Sequence, residues 1–457
     1  MTTPQQPSAS TPWYRLLNRA HWAVFIVASL AWLFDCLNQQ LFNLARDSAM
    51  SDLVGARATE LGPYTTSCFL IGWAIGGLIF GALGDRYGRA RILTLSVLLY
   101  SVFTALCAFS WSYLVFCIGI ALTGLGVGGI FGLAVALVAD TVPEAARPSA
   151  LGILQSISSW GNIAAGAIGI AIGLLAMRSL IPLGLREWQA MFLIGAIPAL
   201  ICVIFLARTK EPEKWLAAKA DGEKRGIKFG SYASLLTHPR WRKHAWLGLL
   251  LCGAGIIGLW GIGNFNPTIV GDIVRAHYTA HGLTPADLAA KQTLWRGLGL
   301  LLQNTGGFLG MITFVKITQV KGRKFAFALA LLCSFLATNL AFYFLRNLPD
   351  MYWMLPIMGF GQYSVFAVYA IYLPEIFPTS LRSTGTSFCY NFGRLAAATA
   401  PFTIGTLTRY LSDPANTGMD KIEAFRLGGM SVSLILLVGI IALPFLPETK
   451  GHPLPEE

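Results

Sequence analysis

The sequence predicts an all-α membrane protein with twelve transmembrane helices in two pseudo-symmetric six-helix bundles. Three observations carry that prediction: too little charge for a water-soluble chain of this size, apolar runs of about 20 residues between short polar breaks, and an internal repeat relating the two halves. Of 457 residues, 55% are hydrophobic and 12% charged, and the mean hydropathy is +0.60. That charge content is about half of what soluble domains carry. An apolar run of about 20 residues is what a helix needs to cross a hydrocarbon layer about 30 Å thick.

Residues 1–21 form a polar, cytoplasmic N-terminal tail in which Arg15 and Arg19 precede the first apolar run. No small-residue cleavage site follows a short apolar core, so the first span is expected to stay attached. The first bundle is expected over 22–207, with spans near 22–45, 63–84, 92–110, 113–139, 149–175 and 188–207. The second is expected over 244–446, with spans near 245–269, 293–315, 325–345, 351–373, 384–409 and 425–446. Residues 208–243 connect the bundles and 447–457 form a C-terminal tail. Glycines recur inside the spans, as at Gly124, Gly126, Gly128 and Gly129, where small residues let helices approach closely in lipid.

Lys and Arg concentrate after even-numbered spans: Arg86, Arg89 and Arg91, the 208–243 segment, and Lys316, Lys321, Arg323 and Lys324. By the positive-inside rule these segments and both termini face the cytoplasm. The repeat is visible in the same loops. Asp140, Pro143 and Arg147 after span four recur as Glu375, Pro378 and Arg382 after span ten, at an offset of 235 residues with identical spacing. At an offset of 234, Gly88-Arg89 meets Gly322-Arg323. Parallel six-span repeats with a midplane site between them imply alternating access.

The net charge of +12 sits in loops between spans rather than on a groove-reading face, which argues against nucleic acid. The eight cysteines lie in apolar runs without metal-ligand or disulfide-framework spacing and read as packing residues. The six histidines fall in loops or at span ends without catalytic or metal-ligand spacing, and the sequence has no ATP-binding loop. Neither an enzyme nor a cofactor or metal protein is expected.

Gly81-Ala-Leu-Gly-Asp85-Arg86-Tyr-Gly88-Arg89-Ala-Arg91 resembles the Gly-x-x-x-Asp-Arg-x-Gly-Arg-x-Arg motif of the major facilitator superfamily. Glu211-Pro-Glu-Lys-Trp-Leu216, Pro447-Glu448-Thr449-Lys450-Gly451 and Glu375-Ile-Phe-Pro-Thr-Ser-Leu-Arg382 are similar to motifs of its sugar-porter-like branch. Within that branch, Ala31-Trp-Leu-Phe-Asp35-Cys-Leu-Asn38 resembles the span-one motif of the aromatic-acid/proton symporters, with Asn38 replacing a second acid. Asn391-Phe-Gly393-Arg394 resembles a span-eleven pattern of those symporters and of organic anion carriers. The span-seven Gln-Gln pair of sugar porters is absent, and Ile120 stands where many superfamily members carry a proton-linked Arg. Gln319 stands where a second-half copy of Asp85 would align.

The resemblance implies the major facilitator fold and a monomer in the cell membrane, the inner membrane if the cell is bacterial, that moves a small molecule, with protons as coupling partner. Asp85, Arg86, Arg89, Asp140, Arg147, Glu375 and Arg382 are the gating candidates, because acids among arginines can pair across the seam and part when the bundles rock. The bland alternative for the arginines is orientation alone.

Two charges fall inside spans. Asp35 lies 13 residues beyond Trp22, about 20 Å at 1.5 Å per residue, and Arg394 lies a similar distance beyond Arg382. Charges near the midplane usually face a cavity and mark a pathway or proton relay. Asp35 is the proton-coupling candidate, with Asn38 and Gln39 on its helical face; the alternative is a neutral or salt-bridged structural aspartate. Arg394, whose planar fork suits a carboxylate, is the substrate-binding candidate; the alternative is a fixed structural pair. Further binding candidates are Gln155, Trp160, Asn264, Gln303, Gln362, Tyr390 and Asn391, joined by Asn162, Trp260, Asn304, Tyr363 and Tyr369; the alternative for each is pairing between helices or an interfacial belt. Proton symport of a small organic anion, a carboxylate metabolite, is expected. The alternative is a facilitator or symporter of sugars or other neutral solutes.

Overall fold

A computed structural model of the chain describes residues 12–177, 180–181, 184–262, 266–279, 285–397 and 399–455, and all regular structure among them is helical. The first half contains α1 (Arg19–Val54), α2 (Ala58–Tyr87), α3 (Arg89–Cys107), α4 (Tyr113–Thr141), α5 (Arg147–Ser156), α6 (Ser158–Met177) and α7 (Glu187–Ala207). Two short helices, α8 (Glu213–Lys224) and α9 (Tyr232–Thr237), occupy the connecting segment. The second half contains α10 (Pro239–Ile256), a π-helical turn (Ile257–Ile262), α11 (Asn266–Thr279), α12 (Pro285–Lys321), α13 (Arg323–Phe344), α14 (Met351–Tyr372), α15 (Arg382–Ala397), α16 (Ala400–Ser412), α17 (Lys421–Ser433) and α18 (Ile435–Ala442).

Among the described residues, ten stretches are long and apolar enough to cross a membrane. The interrupted pairs α5–α6 and α15–α16 supply the fifth and eleventh crossings, at equivalent places in the two halves. The breaks have local causes. Ser156 donates its hydroxyl to the Gly152 carbonyl at 2.7 Å and Ser158 to Gln155 at 2.7 Å, which competes with the helix ladder and bends it. In span eleven, Thr399 donates to the Ala396 carbonyl at 2.7 Å, and Pro401 has no N–H to give Ala397. Several starts are capped: Asn18 accepts from His21 N at 2.8 Å, and Asp420 accepts from Ile422 N at 2.9 Å.

Glycines decide which helices touch. A Cβ on Gly72 or Gly76 of α2 would overlap the carbonyls of Ala121 or Leu125 on α4, and one on Gly124 or Gly128 would overlap those of Phe69 or Trp73 on α2. The second half repeats the seam, with Gly306 and Gly310 of α12 against Pro356 and Phe360 of α14, and Gly359 against Gln303. Close backbone approach maximises dispersion where lipid supplies no hydrophobic drive between helices. The repeat read in the loops therefore extends into the packing of each bundle.

The end that carries Arg86, Arg89, Arg91, Arg323 and Lys324 is called here the basic end. Interactions between the halves run from that end to the middle of the spans, from Asp85 and Asp140 up to Asn162, whose Nδ2 donates to Asn304 Oδ1 at 2.9 Å. The bundles are thus closed on one side of the membrane.

Candidate functional site

At the basic end, Asp85 is fully buried and accepts from Ser383 N (3.1 Å), Thr384 N (2.8 Å) and Thr384 Oγ1 (2.7 Å), all at the start of α15 in the opposite half. A carboxylate there also meets the positive end of the α15 dipole. Arg89 bonds Asp85 at 3.2 Å, pairs with Asp140, and donates to the Thr379 carbonyl at 2.8 Å across the seam. Arg382 reaches Asp140 from the second half. Asp140 thereby joins one arginine from each bundle.

The second-half copy is differently wired. Arg323 forms a two-pronged pair with Glu375 at 2.9 and 3.1 Å, inside its own bundle. Arg147 donates to the Ala139 carbonyl at 3.1 Å and to Glu144 at 3.4 Å, whereas its counterpart Arg382 crosses the seam. Gln319, in the place of Asp85, donates to Ser149 Oγ of the first half at 2.7 Å. The same crossing is present twice, charged in one copy and neutral in the other. Arg86 stands outside this network, exposed, with its guanidinium 5.2 Å over Tyr87.

Two motif acids have roles that their sequence context left unassigned. Glu211 accepts from the backbone N–H groups of Arg89 (2.8 Å), Ala90 (3.1 Å) and Arg91 (3.0 Å), capping α3. Glu448 does the same for α13 through Arg323 N (2.9 Å) and Lys324 N (3.0 Å). Gly88 (φ +120°) and Gly322 (φ +97°) precede these helices in a backbone region that other residues rarely adopt, and a Cβ on either would crowd the capping carboxylate. Burial pushes the Glu448 carboxyl up, but its backbone donors, which include Thr449 and Lys450, outweigh that and hold it below the usual glutamate range. The folded form therefore favours the anion, so its contribution is fully present above about pH 4.3 and is lost as pH falls through the lowered value. Glu448→Gln is expected to lower stability at neutral pH by about 1 kcal/mol, the size of a solvent-screened helix-terminus charge. Thermal unfolding in detergent between pH 3 and 8 would show the gap between variant and wild type closing toward the acid end.

At mid-span, Asp35 is buried at 1% exposure, and among the described residues neither carboxylate oxygen has a hydrogen-bond partner. The cation whose field acts on it is Arg394. The Arg394 guanidinium sits 3.4 Å from the centre of the Trp73 ring, 4.5 Å from Tyr390 and 5.8 Å from Trp260, and its Nε has no partner among the described residues. Trp73 comes from α2 in the first half; Tyr390 lies one turn before Arg394; Trp260 is carried by the π-helical turn. Such turns recur at functional sites because they re-aim side chains within a helix. Phe131 of α4 stacks on Tyr390 at 4.0 Å and 22°, and Trp32 lies 5.3 Å from Phe131. Trp32 Nε1, Gln155 Oε1 and Asn391 Oδ1 are also buried without partners among the described residues.

The other candidates divide. Asn38 donates to Thr104 of α3 at 3.1 Å, turned into its own bundle, and Gln39 is buried on the same helix. Gln303 donates to Gln362 at 3.0 Å and Gln362 to Thr338 at 2.9 Å, a chain tying α12, α14 and α13 together. Trp160 is exposed and edge-on to Phe308 at 5.8 Å, apart from the buried cluster. Asn264 lies outside the described residues. Trp73 and Phe131 carried no signal in sequence, being aromatic residues in apolar runs; Trp260 stood out there as one polar-edged group among a dozen.

Two helical bundles of membrane-length apolar helices, with a buried acid and a buried cation inside them, define an integral membrane protein. The Major Facilitator Superfamily profile matches residues 28–401, and the Sugar (and other) transporter profile matches 351–456. The chain belongs to the major facilitator superfamily. It is 28% identical over 434 residues to the cis,cis-muconate transport protein of Acinetobacter baylyi, covering 94% of this chain and 95% of that one. It is 25% identical to a protein named as a probable 4-methylmuconolactone transporter of Cupriavidus pinatubonensis, covering 96% of each. In structure it resembles the proton:xylose symporter XylE, with a TM-score of 0.69 at 19% identity over 95% of this chain and 97% of that one. The chain is a transporter, not an enzyme.

Proposed function

We propose that this transporter carries a small organic anion, a carboxylate metabolite, together with a proton by alternating access. The observation that supports this most is Arg394, buried and held by aromatic faces, acting on a buried Asp35 whose oxygens have no hydrogen-bond partner among the described residues. A guanidinium presents paired donors that match a carboxylate. On this reading Asp35 binds a proton as a substrate carboxylate engages Arg394. Substrate and proton then enter together because each neutralises what the other disturbs. Relatives named for cis,cis-muconate and 4-methylmuconolactone agree with an anionic cargo.

The basic end faces the cytoplasm on the positive-inside rule, so residues 208–243 and both tails lie inside, and the closed end seen here leaves the site approached from the outer side. The Asp85, Asp140 and Arg382 contacts hold that end shut. Uptake into proteoliposomes, with and without an inward proton gradient, from a panel of carboxylates, sugars and organic cations tests the assignment. Gradient-driven accumulation confined to carboxylates is expected. Gradient-independent uptake of a sugar, indifferent to carboxylate competitors, would replace it with a neutral-solute facilitator.

A further inference from the structure

We propose that Ser387 and Ser383 form an exit path, a line of hydrogen-bonding groups on α15 along which the substrate carboxylate leaves Arg394 when the basic end opens. The inference rests on the reading of Arg394 as the carboxylate receptor and adds the route taken after binding. Arg394, Asn391, Ser387 and Ser383 follow one another at intervals of three, four and four residues, so they share one face of α15 from mid-span to the basic end. All are buried, the two serines completely. Ser383 Oγ, Ser387 Oγ, Asn391 Oδ1 and Arg394 Nε have no hydrogen-bond partner among the described residues. Asn391 Nδ2 uses one of its hydrogens on the Ser387 carbonyl at 2.9 Å, which leaves the other for a ligand.

In the closed state this face is shut against glycines of the first bundle. A Cβ on Gly77 would overlap the Asn391 amide, one on Gly81 or Gly132 would overlap the Ser387 hydroxyl, and one on Gly84 would reach Ser383 Oγ at 3.4 Å. Packing against glycine calls only for a small side chain, and alanine would supply it without burying an unpartnered oxygen. The hydroxyls gain partners only when the seam parts and water or an anion reaches them. The line ends on donors already seen to hold a carboxylate, the Ser383 and Thr384 N–H groups that bind Asp85 and are freed when the latch opens. Successive stations lie about 6 Å apart along the helix, close enough for an anion to meet the next donor as it leaves the last. The other seam is built differently: Gly152 of α5 meets Val315 of α12, and Ser149 and Gln319 bond each other. The path is therefore one-sided.

Ser387→Cys and Val315→Cys, one in each seam, are each combined with Asp85→Asn, with cis,cis-muconate as the probe. A negatively charged methanethiosulfonate is applied to the cytoplasmic side of inside-out vesicles, and labelling at each position is read by mass spectrometry. Asp85→Asn is expected to speed labelling at both positions roughly tenfold or more, as the balance shifts toward the open basic end. Muconate is then expected to slow labelling severalfold at position 387 and to leave position 315 unchanged. A ligand that only moved the bundles would change both rates alike, so their ratio reports the route. Ser387→Ala, which removes the hydroxyl and little else, gives a second readout: a maximum counterflow rate lowered about fivefold, the size of one lost hydrogen bond, with apparent KM unchanged. Labelling confined to position 315, equal effects of muconate at both positions, or a wild-type rate in Ser387→Ala overturns the exit path. Muconate exchange that is absent in wild type, or indifferent to Arg394→Leu, overturns the carboxylate reading itself and the path with it.

Discussion

Asp85→Asn is expected to unlatch the basic end. The side chain keeps its shape, but it loses the charge that accepts three hydrogen bonds from Ser383 and Thr384, and its new NH2 group faces backbone N–H donors that it cannot satisfy. Hydrogen bonds to charged groups contribute about 1.5–3 kcal/mol each and are not additive, so about 3 kcal/mol of closure is expected to be lost. That corresponds to a shift of roughly 100-fold in the balance between closed and open basic ends. Paired spin labels on the basic ends of α2 and α15 would report it as a new long-distance population. Gln319→Leu provides the internal comparison: its bond to Ser149 is a single neutral contact worth about 1 kcal/mol, so its effect is expected to be several-fold at most. Equal effects of the two substitutions would mean that the charged and neutral crossings contribute alike.

Arg394→Leu is expected to abolish recognition of anions. The substitution removes the donor fork and leaves Asp35 without the cation that acts on it. Loss of a charged, bidentate contact of about 3 kcal/mol predicts an apparent KM for carboxylates raised roughly 100-fold. Arg394→Lys keeps a charge but neither the fork nor the planar guanidinium over Trp73, and is expected to recover only a fraction. Counterflow exchange is the right assay because it needs no proton gradient. Undiminished exchange of carboxylates by Arg394→Leu would return this residue to a structural pairing role.

Much of the fold was legible because membrane spans and the positive-inside bias are length and composition signals, and because Asp140/Glu375 and Arg147/Arg382 recur at an offset of 235 residues and Arg89/Arg323 at 234. The structure carries the same repeat into the capping acids Glu211 and Glu448 and into the Gly72 and Gly306 seams. The break at Ile157 was not legible, since serine back-bonding depends on rotamers rather than on any strong breaker residue, whereas Pro401 marked the one near Thr399 and was passed over inside a long apolar run. At the candidate site, Asp35 and Arg394 stood out because charge in lipid is costly. Their surroundings did not. Helical spacing put Asn38 on the face of Asp35, but a rotation of about 60° between positions three apart was enough to turn Asn38 into the α3 contact instead. Gln303 and Gln362 read as cavity groups in sequence and bond to each other in space. Trp73 gave the opposite error, because an aromatic in an apolar run resembles packing until a cation from the other bundle is found on its face.

The measurement that bears most directly on proton-coupled anion transport compares wild type and Asp35→Asn in the same proteoliposomes, reading gradient-driven accumulation and counterflow exchange of one carboxylate. Loss of accumulation in Asp35→Asn with counterflow retained is the predicted result, since the asparagine cannot take up or release a proton while the Arg394 receptor remains. Accumulation that still follows the proton gradient in Asp35→Asn would contradict it.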